Sequence, residues 1–261
     1  MKRLDFVVAT SLALLATFVG SQALATHQSH GLRARNGEPV ITEDSAEGAT
    51  APATARPHRR HADDADPTPD EVRRRLEQSA PSTYIGDVLA SHDSALARWA
   101  ERRTDPLRVW IQPVAHAEGW SPATLPLVRD AFMEWAESGV PINFTFVLDS
   151  ASANVHVTWV DHFREPISGK TLWTHDERWY ILQANVMIAV HHQTGEPLDR
   201  AATKAIALHE VGHMLGLDHT SDTTSIMAPR VRVKELSDAD RATAQLLYSL
   251  PPGRIGGRRV E

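Results

Sequence analysis

The chain of 261 residues contains no cysteine. That one absence excludes disulfides, thiol nucleophiles, thiolate metal sites and a lipid-modified N-terminal cysteine together. Basic charge is not in excess either: 27 Lys and Arg stand against 33 Asp and Glu, a formal net charge of −6. Such a chain has no general electrostatic draw toward nucleic acid or an anionic membrane. After the N-terminal segment no apolar run approaches the roughly 20 residues that a membrane span needs, and there is no internal repeat. Histidine, by contrast, is plentiful at 14 residues, so any bound metal would be held by nitrogen or oxygen. A hydrophobic content of 42% is enough for a globular core.

The N-terminus reads as an export signal over residues 1–25. Lys2 and Arg3 precede an apolar run from Phe6 to Val19, and Ala23-Leu24-Ala25 supplies a small-x-small cleavage pattern. The expectation is a product in the periplasm or the medium, with no stable membrane insertion after cleavage. Residues 26–95 are poor in large apolar side chains and alternate in charge, as in His58-Arg59-Arg60-His61 and Asp63-Asp64-Ala65-Asp66. They read as a mostly disordered linker or pro-segment, with short helices at Asp70 to Gln78 and Tyr84 to Trp99. The interleaved acids argue against a nucleic-acid patch. Residues 251–261 read as a flexible tail.

Residues 96–250 carry the folding signals. Leu107 to Ile111, Ile142 to Phe146, and Val155 to Trp159 alternate with period two, as do Leu182, Ala184, Val186, Ile188 and Val190. A weaker strand falls near Thr171 to Thr174. A helix begins at Ser121-Pro122, shows Val128, Ala131, Phe132 and Trp135 on one face, and stops at Gly139. Ser237 and Asp240 form a capping start for a last helix carrying Ala239, Ala242, Leu246 and Leu247. This order of elements predicts an α+β domain with a mostly parallel sheet.

The chemistry is concentrated in His209-Glu210-Val211-Gly212-His213-Met214-Leu215-Gly216-Leu217-Asp218-His219. His209 and His213 are four apart, so on a helix both imidazoles leave one face and can grip one ion. Glu210 lies about 100° around that helix, beside the ion. A continuous helix would carry His219 away. Gly216 can take positive φ, end the helix and turn the chain back so that His219 becomes a third ligand. Three nitrogen ligands leave a fourth position open for water, the arrangement of a catalytic rather than a structural zinc, with Glu210 placed as general base and then general acid. The plain alternative is a solvated helix in a histidine-rich protein. The five fixed positions at this spacing make it the weaker reading.

Ser225-Ile226-Met227-Ala228-Pro229 follows shortly after His219. With it, the histidine segment resembles the motif and Met-turn of the metzincin metallopeptidases, in their matrixin (matrix-metalloproteinase-like) branch and in a bacterial-style exported form. The resemblance runs from about Leu107 to Tyr248. It implies a twisted, mostly parallel five-stranded sheet with an antiparallel edge strand over the cleft, an active-site helix, a Met-turn with Met227 beneath the metal, and a C-terminal helix. It further implies one catalytic Zn2+, hydrolysis of internal peptide bonds, a protein or peptide as substrate, and a monomer. Thr171, Leu172, Trp173 and Thr174 would be the exposed edge on which an extended peptide pairs. Residues 230–234 would line the pocket for the residue after the cut.

Three departures limit what carries over. A propeptide cysteine on the metal is excluded by composition. The family's second, structural zinc is unmatched, because His156, His162, His175 and Asp176 stand in the right region at a different spacing, and His191-His192 is no better placed. Calcium sites are equally unassigned, since Asp149 and Asp161 are isolated. Competing readings are a peptidase whose third ligand is a downstream glutamate such as Glu235, a non-catalytic zinc-binding module of the same fold, and an exported adhesive protein working through its low-complexity segment.

Overall fold

The computed structural model describes residues 48–50, 68–92 and 94–255. The expected signal, its cleavage site and most of the expected linker lie outside these residues.

Five strands make the body of the sheet: β3 (Arg102–Ile111), β4 (Ile142–Val147), β5 (Val155–Val160), β6 (Gly169–His175) and β7 (Ile181–Ala189). With β1 (Gly48–Thr50) at one margin, the order is β1-β6-β7-β5-β3-β4. The pairs β3/β4, β3/β5 and β5/β7 are parallel, and β6 runs antiparallel to β7. The α+β architecture with one antiparallel strand beside a parallel set is as the sequence predicts. The expectation of an exposed edge at Thr171 to Thr174 needs correction. Gly48–Thr50 pairs in parallel with Trp173–His175, so β6 is not the margin over its last three residues. The partner is a three-residue strand more than a hundred positions away, a pairing with no local signature.

Helices α1 (Pro69–Ser79), α2 (Ile85–Ser91), α3 (Leu125–Ala136), α4 (Arg200–Met214) and α5 (Asp238–Ser249) complete the main elements. The alternation in the strands buries Leu107, Val109 and Ile111 of β3, Val155, Val157 and Trp159 of β5, and Ala184, Val186 and Ile188 of β7. α3 lays Phe132 against this layer, with its ring edge-on to Phe144 and Phe146 at 5.0 and 6.0 Å between centroids. Leu107 and Phe144, and Val109 and Phe146, are register partners, so neighbouring strands present one continuous apolar face to α3. α5 starts at the predicted cap, where Ser237 and Asp240 exchange hydrogen bonds in a full capping box.

The expected linker is more structured at its end than its composition suggests. α1 and α2 form where short helices were expected, but α2 stops at Ser91 rather than reaching Trp99, and β2 (Ala95–Leu96) follows it. Val72, Tyr84, Ile85 and Val88 are buried in the common core. The Tyr84 hydroxyl donates to Asp240 Oδ1 at 3.0 Å, and the Tyr84 amide donates to Thr243 Oγ1 at 3.1 Å. The expected flexible tail also begins later than residue 251. β8 (Gly253–Arg254) pairs antiparallel with β2, and the Ile255 amide donates to Ser94 O at 2.7 Å.

Candidate metal centre

α4 is a buried helix through the sheet-covering layer, and it positions everything that follows. Asp199 caps its start, accepting from the Ala202 amide at 2.7 Å. Its far end is held by side chains from three other parts of the chain. The Trp135 indole donates to Leu208 O and the Trp99 indole to Met214 O, each at 2.8 Å, while the Tyr248 hydroxyl donates to Leu215 O at 3.0 Å. The bonds to Met214 and Leu215 satisfy carbonyls that a helix terminus otherwise leaves open, and the bond to Leu208 falls within the helix. Gly216 then takes φ of 99°, and any Cβ there would also overlap the Ala97 carbonyl, so the turn demands glycine for both reasons.

His209, His213 and His219 converge. Their ligand atoms lie within 4.8 Å of one another, and among the described residues they form the one such group of three. His213 Nε2 is 3.0 Å and His219 Nε2 is 3.3 Å from His209 Nε2. His209 Nδ1 is 2.7 Å from Ile226 O, and His213 Nδ1 is 3.0 Å from Leu217 O. A carbonyl only accepts, so each Nδ1 carries the proton, and each Nε2 turns a lone pair toward the common point. Lone pairs facing one another at 3 Å repel unless a cation lies between them. The donor set therefore fits a metal ion, with backbone carbonyls fixing the tautomers.

Met227, expected beneath the metal, is fully buried against the helix that carries His209 and His213. It fills the space beside Gly212, where a Cβ would overlap its sulfur and come within 3.2 Å of the Trp135 ring. The turn that carries Met227 hangs on one buried carboxylate. Asp240 Oδ1 accepts from Ser225 Oγ at 2.5 Å, and Oδ2 accepts from the Ile226 amide at 3.1 Å and from the Ser237 amide at 2.8 Å. Ile226 O is in turn the acceptor for His209. Glu210 is fully buried against β6, where Thr171 Oγ1 reaches Glu210 Oε2 at 2.7 Å.

The other candidates are scattered. His156 bonds Ser150 O, and His175 bonds Asp176 O while stacking on Trp179 at 4.3 Å. Asp176 accepts two amides of its own turn. Asp161 bridges His162 and His191, each at 2.8 Å. Asp149 caps a short helical turn. None of these joins a second group of three converging ligands among the described residues. Glu235 lines a hollow with Glu134, Lys204 and Arg241, apart from the three histidines. Of residues 230–234, Val231 is packed into the core.

Sequence reasoning misses several residues around the centre. His92 sits 3.5 Å from Asp218 and edge-on to Trp173, and burial holds its imidazole below the ordinary range despite the Asp218 carboxylate. Asp218 also accepts from the His219 amide at 2.6 Å, tying α2 to the third histidine. Asp240 and Gly212 had local signals, as a cap and as a motif position. Trp99, which bonds Met214 O, had none.

Burial, and then the neighbouring imidazoles, hold His209 well below its ordinary pKa; burial and His213 bring His219 down to about 3 against the opposing pull of Asp218. Both are neutral at pH 7, as metal binding requires. The sign for the metal-free chain follows from these depressed values. Below about pH 6.5 the unfolded histidines take up protons that the folded ones refuse, so stability falls with pH, by up to about 1.4 kcal/mol per unit for each histidine, until the folded group itself titrates. For His219 that window extends to about pH 3. Urea midpoints of the metal-free chain should drop between pH 7.5 and pH 5, and an unchanged midpoint would contradict the burial argument.

The matrixin peptidase family matches residues 121–249, the span that holds α3, the sheet from β4 onward, the three histidines and α5. Residues 121–249 are a matrixin domain. The chain is 32% identical to metalloendoproteinase 1 of Glycine max over 96 residues, which is 35% of this chain and 29% of that protein. Metalloendoproteinase 5-MMP of Arabidopsis thaliana is 28% identical over 148 residues, 49% of this chain and 40% of that protein. The chain thus spans less than half the length of the curated relatives it matches. The matrixin assignment accounts for the convergence of the histidines, the Met-turn and β6 in one place.

Proposed function

We propose that the chain is an exported zinc endopeptidase. The observation that carries this is the convergence of three Nε2 atoms, two of them on rings (His209 and His213) whose Nδ1 is tied to a carbonyl, with the Glu210 carboxylate on the same helix. His209, His213 and His219 would hold the ion. Zinc at that point supplies Lewis acidity toward water and carbonyl oxygen. Glu210 accepts the proton of the attacking water and returns it to the nitrogen of the departing amine. The main chain of β6 ahead of the β1 pairing, around Lys170 to Leu172, offers hydrogen bonds to an extended peptide. Export rests on the signal-like first 25 residues.

The test is a purified full chain, its zinc content, and its action on a mixed peptide library read by mass spectrometry. About one zinc per chain is expected, with cuts inside peptides that stop with a chelator and return with Zn2+. A folded, zinc-loaded chain that makes no cut would favour a binding module of the same fold.

A further inference from the structure

β6 does more than border a cleft. Its alternation turns Gly169, Thr171 and Trp173 toward α4, and all three are buried. A Cβ at residue 169 would stand 2.7 Å from both Cγ and Cδ of Glu210 and overlap Oε1, so the Glu210 side chain occupies space that only glycine leaves. Two residues on, Thr171 Oγ1 lies 2.7 Å from Glu210 Oε2 and 3.0 Å from the Glu210 main-chain oxygen. The carboxylate is thus seated by shape at one point and by a hydroxyl at another.

We propose that Thr171 is a positioning residue for Glu210, its hydroxyl holding the carboxyl group in one orientation while that group takes and gives up a proton. This rests on the endopeptidase reading. A hydroxyl has one proton and can accept as well as donate. With Glu210 ionised, Thr171 donates to Oε2. When the proton taken from water resides on Oε1, Oε2 still accepts from Thr171, so one hydrogen bond holds the carboxyl group in both states. Both states use the same heavy-atom positions, so the base need not reorient before it acts as acid. Such constancy matters because a displacement of about 1 Å at a reacting group costs on the order of 10²-fold in rate.

Thr171→Val keeps the shape and removes the hydroxyl, and Thr171→Ser keeps the hydroxyl. On the zinc-loaded full chain, Thr171→Val should lower kcat by roughly 10-fold or more with KM and zinc content little changed, and Thr171→Ser should recover most of the loss. Crystal structures should show the Glu210 carboxylate turned away from Gly169 in Thr171→Val and in place in Thr171→Ser. A kcat for Thr171→Val within about twofold of wild type, a loss that Thr171→Ser does not recover, or an unmoved carboxylate would each overturn the proposal. Should the valine variant fail to accumulate, Thr171→Ala takes its place with the same outcomes. If the wild-type chain cuts no peptide, the endopeptidase reading falls, and the position of the carboxylate in the two variants still decides the role of Thr171.

Discussion

Glu210→Ala should retain zinc and lose about 10²- to 10⁴-fold in kcat. The two halves of that expectation come from different atoms. The ion would be held by three imidazoles, of which His209 and His213 are oriented by Ile226 O and Leu217 O, and neither of those contacts involves the Glu210 carboxylate. Proton transfer, however, has no second carboxylate to fall back on at this position: Asp218 faces His92 and the His219 amide. Glu210→Gln is the closer control, since it keeps the volume that fills the hollow at Gly169. Zinc content by atomic emission and kcat on a cleaved peptide decide the matter. A loss below about tenfold in both variants would remove Glu210 from the general-base role.

Asp240→Ala should cost about 3–5 kcal/mol of folding stability. The carboxylate is fully buried and accepts from Ser225, Ile226, Ser237 and Tyr84, so its removal leaves several buried donors without an acceptor. A second effect should accompany the first. The Ile226 carbonyl orients His209, and a Met-turn released from α5 no longer holds it in place, so zinc affinity should weaken as well. Urea unfolding and a competition titration with a chromogenic chelator measure the two separately. A stability loss under about 1 kcal/mol would show that the network is not needed to hold the turn.

What the sequence discloses here depends on how local the cause is. The histidine spacing, the helix-ending Gly216 and the capping pair Ser237 and Asp240 act within a few residues, and all are visible as patterns. The strands β3, β5 and β7 are visible because burial alternates along each of them. The seat of Glu210 is not visible, since Gly169 and Thr171 meet it across some forty residues and nothing in a Gly-Lys-Thr run marks that encounter. Composition also conceals the docking of the N-terminal helices, though not the helices themselves. Around Val72, Tyr84, Ile85 and Val88 the chain is polar enough to read as linker, yet these few side chains dock on a core prepared by other elements, with Tyr84 hydrogen-bonded to α5. The pairing of β8 with β2 is hidden for the same reason, being two residues long and remote in sequence.

The clamp on the end of α4 bears on how an ion would be received. Trp135, Trp99 and Tyr248 come from separate parts of the fold, and each anchors a different carbonyl at Leu208, Met214 or Leu215. The last turns of the helix therefore cannot fray one bond at a time, and the spacing between His209 and His213 is inherited from the packed core rather than imposed by the cation. Capture of zinc then requires little ordering of the chain, and most of the interaction energy of the imidazoles is available as affinity.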